Sequence, residues 1–376
     1  MEWIFVSIYA IGICACISKI KAFKFVVSAI LLFFLWLILA GSNTVDLYNY
    51  QIMYNQAAAY TPIEVLTSWS GRDIGYAFFT SLFSYAYIDF DEFRIIFATI
   101  YLFLLVFFIR KETNSLLLVL TLYVLWPFFM DTIQIRTLIV HLMIFIAFLI
   151  YSRYTTKTTI IAISIVVVAC TVHILAAFYL PVFLFHRFYK NKYILFFILL
   201  SSLSMPLYVD FLGGALSSII NNFLASSSNN DISVFSRYQL NVSNYAKYIY
   251  WLFCNGMFFL IAYIRNKYNK ENDIEENKRN YFETCYAVCL YLLIFMPLYG
   301  LSGGEVGRFF RCFTLLFIVA IVIYIQTVKS DLLKILITSL AAIFLFLEGW
   351  VGLYYSAWDK VLQLFNENII WNTFFL

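Results

Sequence analysis

FVVSAILLFFLWLILAG, residues 25–41, runs for seventeen residues without a charged side chain. At 1.5 Å per residue an α-helix of that length reaches about 26 Å, close to the hydrocarbon thickness of a bilayer. Working outward, comparable apolar runs recur at 3–17, 91–109, 116–130, 137–152, 158–172, 173–185, 193–211, 247–264, 282–299, 309–327 and 333–354. This predicts an all-α, polytopic transmembrane helical bundle of about twelve spans, with the whole chain, 1–376, as one integral membrane domain. No run shows the short alternating pattern of barrel strands. Composition agrees: the chain is 63% hydrophobic and 12% charged, where soluble domains carry about 25% charge. Trp3 to Ile17 has no basic region before it and no cleavage site after it, so it reads as a first span rather than a signal peptide. Seven cysteines lie mostly within apolar runs and form no CxxC pair, so they read as small buried hydrophobes.

Charge sets an orientation. If Lys19, Lys21 and Lys24 are cytoplasmic, the basic clusters 110–111, 153–157, 187–192, 265–279 and 329–334 alternate onto the same side. That side then holds 17 of the 25 Lys and Arg residues, the positive-inside pattern. The count requires the short apolar stretch 75–88 to lie at the interface or re-enter without crossing. Segments 42–90 and 212–246 become extracytoplasmic loops, the second Ser/Asn-rich and expected to be mobile. Residues 265–281 become a charged cytoplasmic loop.

Ionisable residues at membrane depth are costly and point to function. Here they gather on the outer side. Asp46, Tyr50 and Tyr54 are spaced to share one face of a helix. Arg72, Asp73, Gly75 and Tyr76 follow. Asp131, Gln134 and Arg136 stand where one span hands over to the next. His173 sits at the tip of a hairpin over 158–185. Glu305, Arg308 and Arg311 stand at the start of another span, behind Gly303, Gly304 and Gly307, which read as a flexible lead-in. Arg136, Arg308 and Arg311 are thus expected at helix N-termini, where backbone N–H groups and guanidinium forks together suit a phosphate or carboxylate. The same arginines also suit headgroup contact or pairing with Asp131 and Glu305. Asp89-Phe90-Asp91 has DxD spacing, but also fits a helix start capped by Asp91. The three histidines are too scattered for a metal signature.

Three places carry a family likeness: Asn43-Thr-Val-Asp-Leu-Tyr-Asn-Tyr with Tyr54 beyond it, Gln134-Ile135-Arg136 opening a span, and His173 before an apolar run to Pro181. The late outer residues Arg308 and Arg311 fit as well. In these the chain resembles the EpsG/Wzy family of O-antigen and exopolysaccharide polymerases. The resemblance implies a GT-C-like membrane glycosyltransferase in the bacterial inner membrane. Its members join oligosaccharide repeat units carried on undecaprenyl pyrophosphate at the outer face, without nucleotide sugar, ATP or cofactor, and usually beside a chain-length-regulating membrane protein. Nucleic acid is not a partner. Under that implication Arg136, Arg308 and Arg311, with Arg72, Gln134 and Tyr50, bind the substrate, no residue holds a metal, and His173, Asp73, Asp46 or Glu305 activates the acceptor hydroxyl. A lipid-linked oligosaccharide flippase and an O-antigen ligase are the competing readings. A flippase is expected to place polar groups along a midplane cavity between repeated halves, and this chain shows neither.

Overall fold

Long helices that are apolar all round need either a protein core or lipid on every side. Here both occur. The computed structural model describes residues 1–43, 45–71, 73–207, 244–269, 275–354 and 358–375, with the backbone alone at 45, 244–246, 297–306, 354 and 375. The described residues are helical and contain no β-strand. Among the described residues, five helices are long and apolar enough to cross a membrane, and six shorter apolar helices of 10–17 residues accompany them. Phe23, Phe25, Val26, Ile30 and Phe33 of one long helix, α2 (Lys21–Gly41), face outward. Such a surface is stable only with lipid as the solvent.

Chain order begins with α1 (Glu2–Ile17) and α2. The expected outer loop is itself folded into α3 (Val45–Ala57), α4 (Pro62–Ser68) and α5 (Ile74–Tyr85). Helix α4 starts with a capping box in which Thr61 and Glu64 satisfy each other's backbone N–H groups. Those bonds, the backbone one first, hold the Glu64 carboxyl below its usual range. Helix α5 is twelve residues long, about 18 Å, too short to cross. It lies against the C-terminal end of α10 (Thr156–Val172), where Gly75 meets Thr171. Helix α6 (Phe90–Glu112) is capped by Asp89, not Asp91, again through a capping box with Glu92; Asp91 instead stands 3.7 Å from Arg94.

Beyond α6, the expected span 116–130 is broken. Helix α7 (Leu116–Leu125) ends before Pro127, which lacks the N–H needed to continue it. A six-residue α8 (Phe128–Ile133) then precedes α9 (Ile135–Tyr151). Helix α10 ends at His173, a 3-10 turn spans Ile174–Tyr179, and α11 (Leu180–Phe185) completes the hairpin. Next come α12 (Lys192–Leu207), α13 (Asn244–Tyr268) and α14 (Glu276–Leu293). Most of the Ser/Asn-rich loop 212–246 lies outside the described residues.

Helix α15 (Met296–Thr327) corrects one expectation. The sequence suggests that a flexible glycine segment precedes Arg308; the backbone is instead one 32-residue helix through Gly303, Gly304 and Gly307. Pro297 in its first turn starts it well upstream, so Arg308 and Arg311 lie inside the helix, not at its N-terminus. Its span Gly307–Thr327 is 94% buried, against 28–50% for the other four long helices. It is therefore the centre of the bundle. Helix α16 (Asp331–Gly349) passes through a π-turn, Trp350–Tyr354. Two further helices, α17 (Trp358–Asn366) and α18 (Ile369–Phe375), were not anticipated. They return to the C-terminal end of α2. Asn368 donates to Leu37 O at 2.8 Å, Ser42 donates to Leu364 O at 2.7 Å, and the buried Arg94 donates to Ser42 O.

The opposite end gathers the basic clusters. Glu112 lies in electrostatic reach of Arg153 and Lys278. Tyr154 bonds His186 and Thr284 at 2.9 Å each, and Arg265 pairs with Glu283 at 2.8 Å while lying over Tyr286. The bundle thus has two polar ends joined by an apolar middle.

Candidate active site

Helix α9 begins at Ile135, so Arg136 occupies its first turn as expected. Its guanidinium pairs with Asp73 and lies 5.4 Å from the centre of the Tyr50 ring. Asp73 is the cap residue of α5 and adopts a left-handed backbone, φ 58° and ψ 51°. For a non-glycine residue that conformation is strained, and such strain concentrates at functional sites. It aims the carboxylate at Arg136. Tyr50 comes from α3, is buried, and meets Tyr76 edge-on at 5.9 Å. Burial pushes its hydroxyl above the usual range, with Arg136 pulling the other way, so Tyr50 remains a donor at neutral pH. Asp46 and Arg308 act on the same hydroxyl through space.

His173 joins this group from the α10 hairpin. It is half-buried and lies within electrostatic reach of Arg136, Arg308, His141 and Arg311. Its Nδ1 accepts the Leu175 amide at 3.2 Å, which caps the 3-10 turn. Two tyrosines pin the arginine-bearing part of α15: Tyr179 donates to Phe309 O, and Tyr250 donates to Gly307 O at 3.1 Å.

A second, fully buried layer lies behind. Arg311 donates to Gln134 Oε1 at 2.5 Å, and its Nε stands 3.4 Å from Asp131 Oδ1. Asp131 has no exposed surface. Tyr123 donates to its other oxygen at 3.2 Å, and Tyr123 and Tyr101 share a bond of 2.7 Å. His141 Nδ1 approaches Asp131 Oδ1 obliquely at 2.8 Å. Glu348, from the far end of the chain, is 1% exposed and feels both Arg311 and Asp131.

The structure therefore brings together Asp46, Tyr50, Asp73, Gln134, Arg136, His173, Arg308 and Arg311. It divides the three arginines: Arg136 and Arg308 line the partly exposed layer, while Arg311 is enclosed by its own acid and amide. Arg72 and the Glu305 side chain lie outside the described residues. Sequence reasoning left out His141 and Glu348. Each is a lone polar residue in an apolar run, and only that cost of burial marked it. Among the described residues no group of His, Cys, Asp and Glu is arranged to hold a metal ion.

Fold and site together define an all-helical membrane protein with an arginine-rich polar centre at one end of its bundle. The EpsG family model matches residues 25–364, nearly the whole chain, and the protein belongs to that family. It is thus a membrane protein of the polysaccharide-polymerase type. No curated protein and no solved structure matches the chain.

Proposed function

We propose that the protein lengthens a surface polysaccharide by joining oligosaccharide repeat units carried on undecaprenyl pyrophosphate, at the outer face of the bacterial inner membrane. The observation that carries this reading is the convergence of Arg136, Arg308 and His173 beside Asp73 and Tyr50 at the polar end opposite the basic clusters. The departing lipid pyrophosphate gains negative charge as the glycosidic bond to it breaks. Guanidinium groups already in place stabilise that charge, and lose no energy to reorganisation. The apolar surround strengthens each such interaction. The acceptor hydroxyl attacks the anomeric carbon, and its proton passes to a base at the site. In this reading Tyr50, beside Arg136, contacts the substrate, and Gln134 contributes by holding Arg311.

The test is a deletion strain complemented with Arg136→Ala or Arg308→Ala. Each variant is expected to abolish long-chain polysaccharide while single-unit glycolipid still accumulates outside. Loss of single-unit export would instead mark a flippase, and unchanged chain length would remove the arginines from the site. Arg136→Lys keeps the charge but not the fork that holds Asp73, so it is expected to recover only part of the chain length.

A further inference from the structure

His173 is a natural candidate for the base, but its surroundings give it a different task. A neutral imidazole has one N–H and one lone pair. The Leu175 amide points its N–H at His173 Nδ1 from 3.2 Å, so Nδ1 must supply the lone pair. The proton then belongs on Nε2. The bond is part of the fold: it caps the 3-10 turn Ile174–Tyr179 that follows α10. Placing a proton on Nδ1 would set two N–H groups against each other and cost the cap. His141 shows the opposite arrangement, with Nδ1 turned to a carboxylate and Nε2 enclosed without a partner among the described residues. His173 is half-buried, and the charged groups around it are Arg136, Arg308 and Arg311. Of these, Arg136 and Arg308 stand in the partly exposed layer, and a hydrogen-bond donor extends their anion-binding set.

We propose that His173 serves the reaction as a donor, through Nε2–H, to the departing pyrophosphate, and that it is not the base that deprotonates the acceptor. The proposal rests on the polymerase reading above and deepens it. In the transfer, the acceptor oxygen bonds to the anomeric carbon. The bond from that carbon to the phosphate oxygen breaks, and its electron pair stays with the lipid pyrophosphate. The hydroxyl proton passes to a carboxylate of the outer segment, Asp73 or Asp46. His173 keeps its own proton throughout and shares it with the leaving oxygen.

Two substitutions separate the roles. His173→Gln retains an N–H donor but has no group that takes up a proton near neutrality; His173→Glu offers a base and no donor. Purified protein in lipid nanodiscs is assayed for kcat and KM, and for affinity toward farnesyl pyrophosphate as an anionic probe. Monodisperse size-exclusion profiles establish folding. His173→Gln is expected to keep kcat and probe affinity within about tenfold. His173→Ala and His173→Glu are expected to lose about a hundredfold in kcat, the scale of removing one preorganised donor. A His173→Glu enzyme that outperforms His173→Gln, or a His173→Gln enzyme as poor as His173→Ala, overturns the assignment. If wild-type protein makes no polymer, the polymerase reading fails. The probe series still decides the donor role: weaker binding in His173→Ala than in His173→Gln supports it, and equal binding overturns it.

Discussion

Asp131 shows what one buried charge demands. Arg311, Tyr123 and His141 all converge on its two oxygens in a site closed to water. Removing one partner from such a pair leaves the other charged and unpaired, which costs more than the pair ever contributes. Asp131→Ala is therefore expected to destabilise the protein by about 3–5 kcal/mol. Thermal unfolding of the detergent-solubilised protein measures it. Asp131→Leu combined with Arg311→Leu removes both charges and is expected to recover part of the loss; a double variant less stable than the single one would refute the pairing argument. The sequence showed that these residues are expensive where they stand. It did not show which polar partner serves which arginine, because Gln134 and Arg311 lie 177 positions apart and Asp73 and Arg136 lie 63 apart. No local periodicity reaches that far.

The junction of α5 with α10 governs how Asp73 reaches Arg136. A Cβ on Gly75 would lie 2.8 Å from the Thr171 backbone carbon. The obstacle is backbone as well as side chain, so trimming the neighbour does not relieve it. Gly75→Ala is expected to push α5 off α10, swing Asp73 away and lower polymer yield at least tenfold. Thr171→Ala, added to it, is expected not to restore the yield. Gel profiling of the polysaccharide reads both, and restoration by Thr171→Ala would show that only the side chain was in the way. The apolar runs of the sequence marked most long helices to within a few residues, since lipid-facing and core-facing positions are apolar alike. They failed at Pro127, where one expected span becomes two helices and Asp131 gains its own short support. They failed again at Gly303–Gly307, where the helix begun at Met296 runs on through glycines despite their poor intrinsic helicity.

For the molecule as a whole, the tail gives a handle on sidedness. Helices α17 and α18 dock on the C-terminal end of α2, through Asn368 on Leu37 O and at Gly41. An alkaline phosphatase reporter fused after Asn366 is expected to be active, and one inserted after Lys21 inactive; the reverse result would invert the bundle and remove the arginines from the outer face. Asn368→Leu is expected to detach the tail and lower the unfolding temperature, because it removes the bond to Leu37 O and leaves the part-buried Trp371 amide without the Asn368 oxygen that accepts it. By itself the sequence determined the solvent, the helical class, the side on which basic residues collect and the residues too polar to be idle. These follow from local composition and from the energy of placing each residue in lipid or water. Only tertiary structure decided that Arg311 is enclosed while Arg136 and Arg308 stand forward, that His173 Nδ1 receives the Leu175 amide, and that His141 and Glu348 belong to the same centre. Those outcomes depend on distances between helices remote in sequence, and packing alone sets such distances.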